Sequence, residues 1–296
     1  MASKRRQVCK AVIPAAGFGT RLFPATKVVK KELFPIIDRM GRAKPVIQAI
    51  VEEAISAGIE EVGIIVQASD LPLFEEFFQQ RPKADYLQKL AAKQGDYIEY
   101  LYTLGQRVTF LIQHVQEGFG HAVLCAREWV GDEPFLLLLG DHLYISDIEA
   151  SCAAQLLAQY EQWGKSAIAI EPTPVETISH RGCVVGAWVK PNELLSITQL
   201  VEKPDIDDAR QRLHVTGMAA DKLLAVFGMY VLTPQIFHLL QASIEQNQRQ
   251  HGEFQLTSCL DHLQRAEGMI GYRVKGRSFD TGQPDAYRQA LIEFRC

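Results

Sequence analysis

The 296-residue sequence lacks the features that would tie it to nucleic acid or to a membrane. Its formal net charge is only −4, and acidic and basic residues are interspersed rather than gathered in blocks. No window approaches the roughly 18 apolar residues of a membrane helix. The basic start of the chain is followed by too short an apolar stretch for an export signal. We therefore expect a cytoplasmic protein that binds neither nucleic acid nor membrane.

Paired cysteines are also missing. No two of the six cysteines form a C-x-x-C pair, which argues against a zinc site and against a disulfide framework. We expect most of them to be ordinary buried thiols. The six are Cys9, Cys125, Cys152, Cys183, Cys259 and Cys296.

The chain does contain enough apolar residues for a large core, since 47% of it is hydrophobic. Short apolar segments predict buried strands at residues 8–14, 62–66, 108–112, 134–139, 167–170 and 183–189. Helical spacing of apolar residues predicts helices at 45–56, 73–80, 120–129 and 147–163. Because strands alternate with helices, the sequence predicts an α/β protein with a largely parallel sheet that is covered on both faces.

The second half of the chain alternates less regularly. It predicts strands at 196–201, 224–232 and 269–274, and helices at 234–242, 253–265 and 283–294. Two polar stretches, 171–181 and 203–217, are predicted to be long surface loops. Neither a repeat nor a linker is evident, so we expect one domain over residues 1–296 with an inserted or appended lobe.

The strongest local signal is a predicted strand that runs straight into the glycine-rich stretch Ala15-Ala-Gly-Phe-Gly-Thr-Arg21. Gly17 and Gly19 lack Cβ atoms, so backbone N–H groups can face an anion, and Arg21 adds a positive fork that suits phosphate oxygens. Thr20 adds a hydroxyl. A tight turn explains a lone G-x-G pair better, but three further cations favour a phosphate loop. They are Lys27, Lys30 and Lys31.

Two familiar phosphate loops do not fit this stretch. The Walker pattern fails because no Gly-Lys-Ser/Thr follows the glycines. The dinucleotide fingerprint needs a third glycine and then an unbroken helix, but Leu22 stands at the glycine position and Pro24 and Pro35 interrupt the segment that follows. An NAD-dependent enzyme is therefore the weaker interpretation.

The stretch from Ala15 to Lys27, followed by Lys31-Glu-Leu-Phe-Pro35, closely resembles the sugar-1-phosphate nucleotidyltransferases and within them the uridylyl branch. Further matches follow in family order over nearly the whole chain. They are Gln113 with Gly118-Phe-Gly-His-Ala-Val-Leu-Cys-Ala126, Gly140-Asp141, Val201-Glu-Lys-Pro204, Phe227-Gly-Met-Tyr-Val-Leu232, Gly252-Glu-Phe-Gln-Leu-Thr257 and Phe279-Asp-Thr-Gly282.

The resemblance implies a Rossmann-like mixed, mostly parallel sheet flanked by helices, the nucleotide-diphospho-sugar transferase fold, with the active site across the carboxyl ends of the strands. It also implies transfer of the uridylyl group of UTP to glucose 1-phosphate by a homo-oligomeric enzyme that depends on Mg²⁺. Arg21 and Lys31 are then the catalytic cations on the triphosphate, and Asp141 and Asp280 are the metal ligands.

The same resemblance implies the binding residues. Nucleotide-binding residues are Ala16, Gly17, Gly19, Thr20, Gln113 and Gly118, of which Gln113 and Gly118 read the uracil edge. Gly182, Glu202 and Gly228 line the sugar pocket, and Lys203 contacts the sugar phosphate. The sugar-binding lobe comes mainly from about residues 165–232.

The sequence departs from the family pattern in three places. Lys30 replaces the usual proline, residues 39–43 read as a short insertion, and His142-Leu143 after Asp141 is closer to the thymidylyl relatives. Another nucleotide such as dTTP, or another sugar 1-phosphate, is therefore an open alternative. Three histidines near the expected site are assigned no chemistry, because a lone histidine is more often a packing or capping residue. They are His114, His121 and His142.

The expected chemistry explains why no convincing nucleophile is found among serine, cysteine and histidine. A sugar 1-phosphate is itself the nucleophile, and its second ionisation near pH ~6 leaves it mostly dianionic at neutral pH. The barrier lies in joining two polyanions, which calls for cations and metal. A non-catalytic homologue that binds nucleotide or nucleotide sugar is the alternative from another class, and the presence of both metal carboxylates argues against it.

Overall fold

The computed structural model describes residues 7–250 and 252–294, and it leaves out the side chains of residues 90–93. Cys296, one of the six cysteines of which we expected most to be buried thiols, lies outside the described residues. Cys152, Cys183 and Cys259 are buried free thiols, whereas Cys9 and Cys125 are partly exposed. None of the described helices is long and apolar enough to cross a membrane.

The described part of the chain contains thirteen strands. In chain order they are β1 Lys10–Pro14, β2 Pro35–Ile37, β3 Ala43–Pro45, β4 Glu61–Val66, β5 Val108–Ile112, β6 Phe135–Leu138, β7 His142–Ser146, β8 Ala167–Pro174, β9 Gly182–Lys190, β10 Leu194–Glu202, β11 Lys222–Leu232, β12 Ile270–Arg273 and β13 Gly276–Asp280.

The helices lie between these strands. They are α1 Val46–Ser56, α2 Leu71–Phe78, α3 Ala84–Gly105, α4 Phe119–Leu124, α5 Arg127–Val130, α6 Cys152–Trp163, α7 Ile206–Arg212, α8 Gln235–Glu245, α9 Leu256–Glu267 and α10 Pro284–Glu293. Short 3₁₀ turns at Thr20–Leu22, Ala25–Lys27, Lys31–Leu33 and Val175–His180 complete the fold.

Nine strands form the main sheet in the order β5-β4-β1-β6-β11-β8-β12-β10-β9. β11 and β10 run opposite to the other seven strands, so the sheet is mixed and mostly parallel, as predicted. β9 also pairs with β11, at Leu224 and Ala225, so these two strands are joined by an additional antiparallel pairing. Two separate antiparallel strand pairs, β2 with β3 and β7 with β13, lie outside the main sheet.

Successive residues of the parallel strands point to opposite faces of the sheet, because side chains alternate along a strand. Ala11 and Ile13 of β1 therefore lie in one buried cluster and Val12 lies in another. A third, smaller cluster is built from residues between Val175 and Ala225. Burial on both faces explains why these strands read as nearly continuous apolar runs.

Both predicted surface loops were wrong in part. β8 continues to Pro174, and the 3₁₀ turn after it buries Val175 and Ile178. The second stretch contains helix α7, because the side chain of Asp205 accepts hydrogen bonds from the first backbone N–H groups of the helix. Polar composition identified exposed residues here, but capping decided the backbone structure.

Other helices differ from the prediction in length or in number. α6 begins at Cys152 rather than at residue 147, since Ser151 is its N-cap and accepts from the backbone N–H of Ala154 at 3.3 Å. The predicted helix 120–129 is two short helices, α4 and α5. The 22-residue helix α3 was not predicted, and it is kinked at Gln94, whose backbone is not helical.

Candidate active site

A cleft of about 480 Å³ opens where the parallel strands β1, β5 and β6 end. Open α/β sheets place ligands at this edge, since loops diverge there and leave a crevice. The cleft is lined by the loop after β1, the turn at Lys31–Leu33, the segment between β5 and α4, and the segment after β6. Of the predicted site residues it contains Ala16, Gly17, Gly19, Thr20, Arg21, Lys31, Gln113, Gly118 and Asp141.

The loop after β1 is fixed by its own hydrogen bonds. The carbonyl of Ala16 accepts from Gln67 Nε2 at 2.6 Å, and the carbonyl of Gly19 accepts from Thr26 Oγ1 at 3.0 Å. Gly19 has φ 68° and ψ 32°, and a Cβ there would lie 2.9 Å from Thr26 Cγ2. Glycine is therefore required at this position on two counts, conformation and space. Gly17 and Thr20 are exposed to the cleft.

The two predicted phosphate cations each contact one predicted metal ligand. Lys31 Nζ lies 2.5 Å from Asp141 Oδ2, and both side chains are 14% exposed. Arg21 Nη1 lies 3.1 Å from Asp280 Oδ2, and the arginine is 55% exposed. Two ion pairs therefore lie at the cleft, one between two largely buried side chains and one between the exposed Arg21 and the largely buried Asp280 behind the cleft lining.

Electrostatics keep the buried pair charged. Burial alone raises the pKa of Asp141, but the charge of Lys31 and the hydrogen bond from His142 outweigh burial and hold that pKa well below its usual range. For Lys31, burial lowers the pKa, yet the attraction of Asp141 and Glu32 outweighs it and the pKa is raised. Both groups are therefore ionised at neutral pH.

A strand pair outside the main sheet brings the two aspartates together. β7 and β13 run antiparallel, and their register places His142 opposite Asp280. The backbone N–H and the hydroxyl of Thr281 both donate to the carbonyl of Asp141 at 2.8 Å. Asp141 and Asp280 are 139 positions apart in the sequence, and this ladder explains how residues so distant in the chain share one site.

Gly282 leaves the space in which these carboxylates meet. A Cβ at this position would lie 2.8 Å from Asp141 Oδ2 and 2.9 Å from Asp280 Oδ1. Asp141, His142 and Asp280 each offer a ligand atom, and these atoms all lie within 4.8 Å of one another. Hard carboxylate oxygens in a pocket of this size suit a divalent cation.

The residues predicted to bind the base, Gln113 and Gly118, also line the cleft. Gln113 follows β5 and is only 3% exposed, and its Nε2 is 3.1 Å from His121 Nδ1. Gly118 begins α4 and packs so closely on Phe254 that a Cβ would come within 2.8 Å of its carbonyl oxygen. The amide of Gln113 and the backbone at Gly118 therefore form a narrow polar slot.

Of the four predicted sugar residues, only Glu202 lines a second cavity, of about 420 Å³. Glu202 lines this cavity, and β9–β10 pairing sets Gly182 directly beside it. Lys203 has φ 42°, and its Nζ lies 3.5 Å from Glu202 Oε1. Gly228 lines neither cavity and instead packs under the ring of His142, where its own Cβ would be 2.8 Å from Cδ2.

The structure adds three residues to which sequence reasoning gave no role. Thr257 Oγ1 donates to Glu202 Oε2 at 2.6 Å. His142 Nδ1 lies 3.0 Å from Asp141 Oδ1. Glu32 is 1% exposed, burial raises its pKa to about 7, and its Oε2 makes no hydrogen bond to the described residues. Thr257 and Glu32 lie inside motifs that the sequence did reveal and His142 directly follows one, but only the contact of Thr257 with Glu202 joins distant parts of the chain.

These features define a nucleotide-binding transferase site on a Rossmann-like sheet, and the chain belongs to the nucleotidyl transferase family, whose pattern matches residues 10–294. Among curated relatives, UTP--glucose-1-phosphate uridylyltransferase 1 of Staphylococcus saprophyticus is 36% identical over 289 residues, which cover 97% of this chain and 93% of the relative. UTP--glucose-1-phosphate uridylyltransferase of Staphylococcus epidermidis is 35% identical over 299 residues, which cover 98% of this chain and 93% of the relative.

Solved structures agree with these relatives. The crystal structure of UDP-glucose pyrophosphorylase complexed with UDP-glucose has a TM-score of 0.79 at 31% identity, and the match covers 97% of this chain and 98% of that one. UTP-bound UGPase from Acinetobacter baumannii also has a TM-score of 0.79, at 29% identity, covering 97% and 93% of the two chains. The predicted family and fold are thereby confirmed.

Proposed function

We propose that this chain transfers the uridylyl group of UTP to glucose 1-phosphate, giving UDP-glucose and pyrophosphate. The observation that carries this proposal is the cleft in which Arg21 and Lys31 face Asp141 and Asp280 at the carboxyl edge of the sheet. Near full-length similarity to enzymes named for this reaction supports the choice of substrates.

The nucleotide occupies the larger cleft. Its base enters the slot between Gln113 and Gly118, where a buried amide and backbone groups read the polar edge of uracil. Its triphosphate lies along Gly17, Gly19 and Thr20, which offer backbone N–H groups and a hydroxyl to an anion. Both groups of contacts converge on the same cleft.

Arg21 and Lys31 neutralise the triphosphate. Because each cation already stands in the cleft beside a carboxylate, it moves by a short distance to reach a phosphate oxygen. The planar guanidinium of Arg21 suits two oxygens at once, whereas the ammonium of Lys31 acts as a buried point charge. Both stabilise the charge that develops on the departing pyrophosphate.

The reaction needs no general base. An oxygen of the glucose 1-phosphate dianion attacks the α-phosphorus of UTP, and the bond from that phosphorus to the oxygen bridging to the β-phosphate breaks. The electron pair leaves with pyrophosphate, so one phosphorus–oxygen bond forms and one breaks. The protein aligns the two polyanions, and this alignment removes part of the entropic barrier to their reaction.

Asp141 and Asp280 are the residues that would hold Mg²⁺. The pocket in front of Gly282, which a single Cβ would fill, and the hard oxygen donors beside it fit such an ion. When bound, Mg²⁺ would neutralise part of the charge of the substrate phosphates. Removal of divalent metal with a chelator is expected to abolish turnover.

The sugar phosphate occupies the smaller cavity, in a lobe formed mainly by residues 165–232 of a single domain. Glu202 accepts hydrogen bonds from sugar hydroxyls with Gly182 leaving room beside it, and Lys203 binds the sugar phosphate. Gly228 acts one step away, by making room for His142. Cytoplasmic location and homo-oligomeric assembly stay predictions, and light scattering on the purified protein measures the second.

The proposal is tested by pyrophosphate release from purified protein with Mg²⁺. Release is expected only when UTP and a sugar 1-phosphate are both present, together with equimolar UDP-sugar. The absence of release with UTP across a panel of sugar 1-phosphates contradicts it. Faster turnover with dTTP than with UTP would instead support the alternative that His142-Leu143 raises, the thymidylyl preference.

A further inference from the structure

His142 stands closer to the two carboxylates than a packing histidine needs to. It is the first residue of β7, directly after Asp141, and the β7–β13 register sets it opposite Asp280. Its Nδ1 lies 3.0 Å from Asp141 Oδ1, and its side chain is 14% exposed. The ring therefore faces the same small space as both aspartates.

The distances fit one ion shared by three side chains. Cis ligands about 2.1 Å from an octahedral cation lie about 3.0 Å apart, which is the separation of His142 Nδ1 from Asp141 Oδ1. The third ligand atom, from Asp280, lies within 4.8 Å of the other two. Small side-chain rotations bring all three to one ion.

We infer that His142 supplies a nitrogen ligand to the divalent cation that Asp141 and Asp280 hold, and that this nitrogen shifts the metal preference of the site toward Mn²⁺ and Co²⁺. Mg²⁺ prefers oxygen ligands, whereas a nitrogen ligand favours first-row transition metals, Co²⁺ more than Mn²⁺. The inference deepens the proposed function and rests on it, because the metal site belongs to the same reaction.

The backbone of β11 is shaped around the ring. Gly228 has φ 95°, and a Cβ there would lie 2.8 Å from His142 Cδ2. Its carbonyl is fixed by the hydroxyl of Tyr144 at 2.7 Å and by the backbone N–H of Leu139 at 3.3 Å. The ring is thus held against a rigid strand and cannot swing away on that side, which is how orienting contacts prepare a metal ligand.

Lys31 and Arg21 contact the two carboxylates that would hold the metal ion. Lys31 Nζ occupies one oxygen of Asp141, and Arg21 occupies one oxygen of Asp280. A nucleotide triphosphate draws both cations onto its phosphates, which leaves Asp141 Oδ2 open to a metal ion and leaves Asp280 with hydrogen bonds from Gly282 N–H and Gln283 Nε2. Metal binding is therefore expected to be strongest with nucleotide present, and the test below includes it.

The competing account makes His142 a positioning residue that only donates an Nδ1–H hydrogen bond to Asp141. Pulsed electron paramagnetic resonance separates the two, because a directly bound imidazole modulates the Mn²⁺ echo with ¹⁴N frequencies. The sample is wild-type protein with Mn²⁺ and UTP, without sugar phosphate, so that no turnover occurs. We expect imidazole ¹⁴N modulation, and its absence overturns the inference.

Two variants complete the experiment. His142→Asn is expected to remove the ¹⁴N modulation, and His238→Asn, which changes an exposed histidine on α8, is expected to keep it. Modulation that persists in His142→Asn overturns the inference as well. Pyrophosphate release is measured on the same wild-type preparation, so failure of the nitrogen ligand is distinguishable from failure of uridylyl transfer.

Metal preference gives a second readout that does not depend on spectroscopy. Calorimetric titration in the presence of UTP is expected to show that His142→Asn raises the Kd for Mn²⁺ by at least about tenfold. The Kd for Mg²⁺ should change much less, because asparagine replaces nitrogen with an oxygen that Mg²⁺ accepts. Equal changes for both metals contradict the proposed shift in preference.

Discussion

The cleft proposed to bind the nucleotide and the smaller cavity proposed to bind the sugar phosphate hold their carboxylates in different ways. In the cleft, Asp141 and Asp280 are each paired with a cation that substrate must draw away. In the cavity, Glu202 Oε2 accepts a hydrogen bond from the neutral hydroxyl of Thr257 at 2.6 Å, and the nearest cation, the half-exposed Lys203, lies farther away, at 3.5 Å from Oε1. A paired charge has to change partners before it can act, whereas a carboxylate oriented by a hydroxyl is ready in place. The cleft is therefore suited to the exchange of ion-pair partners, and the cavity is suited to recognition of the sugar.

This contrast predicts that cleft substitutions lower kcat and that cavity substitutions raise KM for the sugar phosphate. The largest effect is expected for Asp141→Asn. Loss of several kcal/mol of charge stabilisation lowers kcat by about 10³-fold or more. Folding should persist because Glu32 remains 3.7 Å from Lys31. Stopped assays of pyrophosphate release measure kcat, and thermal melting checks the fold.

Asp285→Asn is the matched control, since this aspartate on α10 is 93% exposed. It should leave kcat unchanged. Near-normal turnover of Asp141→Asn would show that this residue is not a metal ligand. It would also contradict the claim that the cleft acts through exchange of ion-pair partners.

Arg21→Ala is expected to lower kcat by several hundredfold, the effect of removing one donor from a developing oxyanion. Stability should change little because the arginine is half exposed and Asp280 keeps hydrogen bonds from Gly282 N–H and Gln283 Nε2. Steady-state kinetics with varied UTP separate kcat from KM. The control is Arg212→Ala, whose side chain is 72% exposed on α7. A rise in KM for UTP with normal kcat would show that Arg21 only binds nucleotide.

Glu32 allows the cleft to be tested through protein stability. One oxygen of its buried carboxyl makes no hydrogen bond to the part of the chain that the structure describes. Burial raises its pKa from 4.5 to about 7, so ionising it destabilises the fold as pH rises from 4.5 through 7. Glu32→Gln should therefore increase the free energy of unfolding by about 3 kcal/mol at pH 8 and by less than about 1 kcal/mol at pH 5.

Denaturant unfolding of both proteins at the two pH values measures this difference. Gln48→Glu offers the reverse change at another buried side chain, 1% exposed on α1, and should destabilise more at pH 8 than at pH 5. Equal stability of Glu32→Gln and wild type at pH 8 would mean that the buried carboxyl is satisfied in solution.

The smallest expected effect is in the sugar cavity. Thr257→Val removes the hydroxyl that donates to Glu202 at 2.6 Å, and KM for glucose 1-phosphate should rise about tenfold, as for one hydrogen bond to a charged group. kcat and KM for UTP should stay near wild type, and Thr257→Ser should restore KM. A fall in kcat without a change in KM would place Thr257 with the cleft and end the distinction between the two regions.

Local features of the site were predictable from the sequence, and long-range ones were not. The loop from Gly17 to Arg21 follows from glycine spacing and charge within a few residues, and strand β4 follows from a continuous apolar run. The meeting of Asp141 with Asp280 depends on the β7–β13 ladder, which no local pattern encodes. His142 was dismissed because a single histidine carries no spacing signal.

The same limit applies to the fold. Helix α3 escaped prediction because its stability comes from partners elsewhere, such as the hydrogen bond between Tyr97 and Gln48 of α1 at 2.7 Å. The stretch at 203–217 was predicted to be a loop from its polarity, although Asp205 caps a helix there. Capping and tertiary contacts decide such segments, and composition does not report them.

The central claim is that both regions act in one reaction on UTP and glucose 1-phosphate. A matrix of nucleoside triphosphates against sugar 1-phosphates, with pyrophosphate release as the readout, tests it most directly. The account predicts the highest kcat/KM for UTP with glucose 1-phosphate and no release when either substrate is left out. Release from a nucleotide alone, or no release with any pair, would contradict it.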